Sequence, residues 1–227
     1  MANRSYLYSL SNRPKSYADR PETISGLSEW AYGVPFSYRV LMSGDPQLCS
    51  SLISDGFDGE PPQKKSKLYA ISSDFESGFA RLKRFFSVLR PLIGGAAPDL
   101  ISGLDETTAF LEAHRDRYLL LETIELDCMT HEREAELRTC VEEEIKASLA
   151  AGAAVDALLS DPSNIGNRLK SATLKKSGSP LDAFCGLRLD DDFDSVRDDK
   201  TEYPLGLYWD EVLYFELWNK AQFEANR

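Results

Sequence analysis

The sequence predicts an α+β fold, with several helices packed on a small, mainly antiparallel sheet in a single domain spanning 1–227. Three observations carry that prediction. Apolar residues recur at three- and four-residue spacing over 74–90 and 132–149, the pattern of a helix with one buried face. Shorter aromatic or aliphatic runs at 6–10, 67–73 and 117–127 have the length and alternation of strands. Aromatic residues are spread from Tyr6 to Phe223, and hydrophobic residues make up 42% of the chain, enough for a continuous core.

Taken in order, the chain opens MANRSYLYSL, so that Tyr6, Leu7 and Tyr8 follow the start with no flexible lead-in. Two-residue alternation places Tyr6 and Tyr8 on one face of a short strand and Leu7 on the other. SNRPKSYADRPE reads as a surface loop, because Pro14 and Pro21 remove backbone donors. Within ISGLSEWAYGVPFSYRVLMSG, Gly33 and Pro35 mark breaks. The expectation there is a turn-forming piece around Glu29 and Trp30, followed by a helix over 36–42. Asp45 can cap and Pro46 suits a first helical turn, predicting a second short helix through QLCSSLIS. DGFDGEPPQKKSK then predicts a flexible loop near 56–66.

KLYAISS predicts a strand, and Ser73 with Glu76 has the spacing of a capping box at the head of the helix over 74–90. Phe75, Phe79, Leu82, Phe86 and Leu89 line its inner face, and Pro91 with the GGAAP run ends it. A helix over 104–114 follows. RYLLLETIELD is read as a strand, with a continuing helix as the alternative. Over 132–149, Ala135, Leu137, Cys140, Val141, Ile145 and Leu149 face inward, while Glu134 with Arg138 and Glu142 with Lys146 pair on a solvated face. A further helical stretch covers 153–159. LRLDDDFDSVRDDK is an acidic loop near 190–200. LGLYWDEVLYFELWNKAQFE is read as a hairpin of strands 205–209 and 212–217, a helix from Asp210 being the competing reading.

The 26 Lys and Arg against 37 Asp and Glu give a formal net charge of −11. A field of that sign repels phosphate backbones and anionic lipid, which argues against nucleic acid and membrane surfaces as partners and favours encounter with a basic protein such as a toxin domain. Lys64, Lys65 and Lys67 form a three-charge loop rather than a basic patch. No run approaches the roughly 18–20 apolar residues of a membrane span, and no apolar signal segment follows Arg4, Arg13 and Lys15, so the expected location is the cytoplasm, with no leader. Cys49, Cys128, Cys140 and Cys185 contain no closely spaced pair, which reads as reduced thiols and neither a disulfide framework nor a zinc site.

No catalytic, metal or cofactor motif stands out. With Asp190 as position one of a calcium loop, Asp192, Asp194 and Asp198 fall at three, five and nine. Ser195 then replaces the turn glycine and Thr201 the bidentate glutamate. His114 and His131 are the only imidazoles. An arrangement of His131 with Cys128 or Cys140 is the one conceivable nucleophile and base, without a recognisable signature. Gly94 and Gly95 lack the spacing of a phosphate cradle. What remains is protein contact, for which Trp30, Trp209 and Trp218 are aromatic anchors and Asp190, Asp191, Asp192 and Asp194 an acidic surface.

The opening MANRSYLYS, the block SEWAYGVPFSYRVLMSG over 28–44 and the LGLYW run from Leu205 resemble an uncharacterised family of bacterial cytosolic proteins that begin in this way. That resemblance implies no assigned activity and no catalytic residues. Small acidic proteins of this general kind include immunity proteins that neutralise toxins. A binding module of that type is therefore the first functional expectation, ahead of a hydrolase or transferase with an unrecognised site and of a structural or regulatory oligomer.

Overall fold

A computed structural model describes residues 3–58, 65–161, 164–195 and 202–226. Five strands form one sheet: β1 (Arg4–Leu10), β2 (Ile24–Ala31), β3 (Gln47–Ser50), β4 (Tyr69–Asp74) and β5 (Tyr118–Glu122). Their spatial order is β2-β1-β5-β4-β3, and every pairing is antiparallel. β1 lies between β2 and β5, so both its edges are hydrogen bonded, and each of its faces packs into a hydrophobic cluster, which explains why RSYLYSL is apolar on both sides of the pleat.

The alternation sorts side chains into two cores. Leu7, Ile71, Leu119 and Leu121 enter the larger one, while Tyr6, Tyr8, Leu10, Ala70 and Leu120 enter a smaller cluster on the opposite face. The larger core is roofed chiefly by α1 (Phe36–Met42), α2 (Phe75–Ile93) and α5 (Glu134–Ser160), with α3 (Pro98–Ala113) and α6 (Ile165–Leu174) packed around them. Two short α-helices, α4 (Ile124–Asp127) and α7 (Lys220–Ala225), and two 3-10 turns, Gly94–Ala96 and Pro180–Phe184, are also formed. Phe75, Phe79, Leu82, Phe86 and Leu89 all lie on the buried side of α2, as the helical spacing demands. Gly78 permits the closest approach in this layer: a methyl group there would overlap the Leu41 carbonyl oxygen of α1.

Several elements depart from the sequence expectations. Glu29 and Trp30 belong to β2, and the turn falls at Tyr32, whose φ is 62°. The segment after Asp45 is β3, not a helix, because Asp45 adopts a φ of 73°, whereas a helix cap needs extended backbone. Its carboxylate is held instead by Arg13 at 2.9 Å. α2 is capped by Asp74, which accepts from the Ser77 N–H at 2.8 Å, one residue later than the box read at Ser73. It continues through Pro91 and stops at Gly94, which takes a φ of 55°.

The helix expected from Leu104 begins at Pro98, and the two stretches over 132–149 and 153–159 are one helix, α5. Ala135 and Leu149 point to solvent, and Glu142 pairs with Arg138 at 2.8 Å instead of with Lys146. No strand ladder forms over 205–217, and the final helix starts at Lys220 rather than Asp210. The loop expected near 56–66 begins and ends in a bridge between Phe57 and Ser66, its centre at 59–64 lying outside the described residues.

Candidate functional site

The sheet face bearing Tyr6, Tyr8, Leu10 and Leu120 is covered by irregular chain, including the segment after β3 and the 213–217 part of an extended C-terminal segment over 205–219, whose Leu205 and Leu207 enter the larger core instead. That C-terminal segment keeps a two-residue rhythm without a ladder. Leu213, Phe215 and Leu217 pack into the smaller core, while Val212, Tyr214, Glu216 and Trp218 face out. Side chains hold it where a ladder would otherwise do so. Tyr8 Oη donates to the Phe215 carbonyl at 2.6 Å, and Trp209 Nε1 to Thr107 Oγ1 at 2.7 Å. Tyr38 Oη donates to Ser28 Oγ, which donates to the Tyr208 carbonyl, each at 2.5 Å. His114 Nε2 lies 3.2 Å from Glu211 Oε2, and Glu29 accepts the Tyr214 N–H at 2.6 Å.

The outward stripe is apolar and acidic together. Tyr208 is 57% exposed, Val212 79%, Tyr214 57% and Trp218 44%, with the exposed carboxylates of Glu211 and Glu216 between them. Arg4 stacks over Tyr214 at 5.1 Å and is neutralised by Glu29 at 2.9 Å. Of the contact residues expected from sequence, Trp218 alone belongs to this stripe. Trp209 is half-buried between Tyr38 and Phe110, a structural role, and Trp30 is half-buried on β2 against the larger core.

The acidic loop works mainly inward. Asp191 Oδ1 accepts the N–H groups of Asp99 and Leu100 at 2.9 and 3.1 Å, capping α3 from 91 and 92 residues away in sequence. Asp194 accepts the N–H groups of Gly206 and Leu207 at 2.5 and 2.8 Å, and burial raises its carboxyl pKa against those bonds. Asp190 and Asp192 clamp Arg188 at 3.1 and 2.7 Å. Asp198 and Thr201 of the tested calcium spacing lie outside the described residues, as does Lys64. Among the described residues, no three His, Cys, Asp or Glu side chains come together as a metal set.

Beneath the C-terminal segment lies polar chemistry not anticipated from sequence. Glu122, at the end of β5, is fully buried. It accepts from Ser51 Oγ at 2.8 Å and from the Leu52 N–H at 2.7 Å, and burial pushes its carboxyl up to about 7. Arg20 in the 11–23 loop is 6% exposed, and its Nε is buried without a hydrogen bond. Tyr6 Oη and Ser72 Oγ are likewise buried without a partner, so unmet polar groups gather on this face. Glu122 did carry a sequence signal, a carboxylate in step with Leu120 at the end of an apolar run. Arg20, in a Pro-flanked polar loop, carried none.

The imidazoles are dispersed. His114 stacks on Phe110 at 4.1 Å and serves the C-terminal segment, whereas His131 lies 3.8 Å from Glu136. Among the described residues neither histidine is hydrogen bonded to a cysteine. Burial raises the thiols of Cys49, Cys128 and Cys140, Cys128 to about 11, which keeps them protonated and weak as nucleophiles. No helix among the described residues is long and apolar enough to cross a membrane.

Comparison with known proteins matches residues 11–161 to a family model described as a domain of unknown function, DUF7822. The match spans β2 to the end of α5. No curated protein and no solved structure matches the chain.

Proposed function

We propose that this chain, which belongs to the DUF7822 family, is a protein-binding module that engages a basic partner through the outward stripe of its C-terminal segment. One observation carries the reading. Of the ten large apolar side chains that are exposed among the described residues, four fall within 208–218, where carboxylates separate them. Exposed Trp and Tyr are the side chains that most often anchor protein contacts, and a surrounding negative field speeds and orients a basic partner. The net charge of −11 supports the same partner chemistry. An immunity protein that occupies a toxin domain in the cytoplasm is the specific form of this activity we favour.

The test is capture of partners by the tagged full chain from a lysate of its own cells, at low and then raised salt, beside a Tyr214→Ser/Trp218→Ser chain. A basic protein held at low salt, released at raised salt and lost from the variant supports the proposal. Retention indifferent to both salt and substitution contradicts it.

A further inference from the structure

We infer that the cavity around Arg20 is a binding site for a small organic monocarboxylate with an apolar body. The cavity has a volume of about 240 Å³ and is lined by Tyr17 and Arg20 from one loop, Leu52 and Ile53 from another, and Phe215, Leu217 and Trp218 from the C-terminal segment. That volume is below the roughly 300–1,000 Å³ of sites for drug-sized ligands, so the occupant is small.

Arg20 supplies the recognition. Its guanidinium lies against the rings of Tyr17, at 4.3 Å, and Phe223, at 4.6 Å, which meet edge-on at 5.6 Å. Contact with ring faces stabilises a guanidinium without using its in-plane N–H donors. Nε is buried without a hydrogen bond, and the residue as a whole is 6% exposed. A desolvated arginine with an unmet donor is costly, and a carboxylate is the planar acceptor that fits the guanidinium fork.

The surroundings select the ligand's charge and shape. Glu122 lies within electrostatic reach of Arg20, and Glu216 lines the cavity, so a dianion such as phosphate meets repulsion that a monoanion meets less. Leu52, Ile53, Phe215 and Leu217 offer apolar surface to the remainder of the molecule. This site lies under the C-terminal segment and does not depend on the protein-contact reading.

The experiment is calorimetric titration of the full chain with phenylacetate, with its neutral analogue phenylacetamide, and with inorganic phosphate, read in parallel by tryptophan fluorescence to report Trp218. Saturable phenylacetate binding at least tenfold tighter than either comparator is expected. Arg20→Met should abolish it. Ile53→Phe, which fills the cavity and leaves Arg20 in place, should weaken it at least tenfold in a chain whose circular dichroism is unchanged. Equal affinity for phenylacetate and phenylacetamide, tighter phosphate, or full phenylacetate binding in Ile53→Phe would overturn the assignment, as would no saturable binding to the wild type.

Discussion

Ser51 donates a hydrogen bond of 2.8 Å to Glu122, and the Leu52 N–H adds a second, yet burial still holds this carboxyl near pH 7 against an ordinary value of 4.5. The folded chain therefore binds this proton more tightly than the unfolded one, and stability falls as pH rises from about 4.5 through about 7. With one pKa unit worth about 1.4 kcal/mol, the loss is about 3 kcal/mol. Asp127, which burial pushes up to about 6, acts in the same direction. Urea midpoints between pH 5 and 8 should decline in the wild type, and Glu122→Gln should remove most of that slope. An identical slope in both chains would refute the role of Glu122.

Gly78 touches the Leu41 carbonyl where α1 crosses α2, so Gly78→Ala must push the helices apart. A loss of about 3 kcal/mol follows from overpacking against backbone that cannot yield. A melting temperature within two or so degrees of wild type would show that the helices slide freely.

Tyr6 and Tyr8 are fully buried on the smaller core's side of β1. Replacing both with Ser should remove at least about 4 kcal/mol, as loss of buried aromatics does. Tyr8→Phe, which deletes only the donor to the Phe215 carbonyl, should remove about 1 kcal/mol. Equal effects of the two changes would mean that the hydroxyl, not the ring, holds the strand.

The acids of the 190–194 turn should separate sharply. Asp194→Ala leaves the N–H groups of Gly206 and Leu207 unpaired and should destabilise by about 2–3 kcal/mol. Asp190→Ala removes one exposed partner of Arg188 while Asp192 stays, and should change stability by less than about 1 kcal/mol. Comparable losses from both would make the loop a collective charge cluster instead of a set of backbone caps.

Local patterns revealed what local physics decides. The two-residue alternation of Tyr6, Leu7 and Tyr8 and the spacing of Phe75, Phe79 and Leu82 read directly into their faces, and the helix over 36–42 has the predicted bounds. Errors arose where a distant group decides the outcome. The early start of α3 depends on Asp191, far along the chain, and Asp45 left the helical path for a turn braced by Arg13. Over 205–217 the alternation was real but its reading as a hairpin was not. The segment's backbone and side chains are pinned by Tyr8, Ser28, Thr107 and Glu29, so it needs no ladder. The Arg20 cavity was invisible for the same reason, since three separated segments close it.

The most direct test of the protein-contact account places a photo-reactive phenylalanine analogue at Val212, 79% exposed on the stripe, and at Leu174, 76% exposed on α6, in separate full-length chains inside their own cells. The account predicts a covalent adduct with one basic protein from position 212 and none from 174. Equal adducts from both positions, or no adduct from 212, would contradict it.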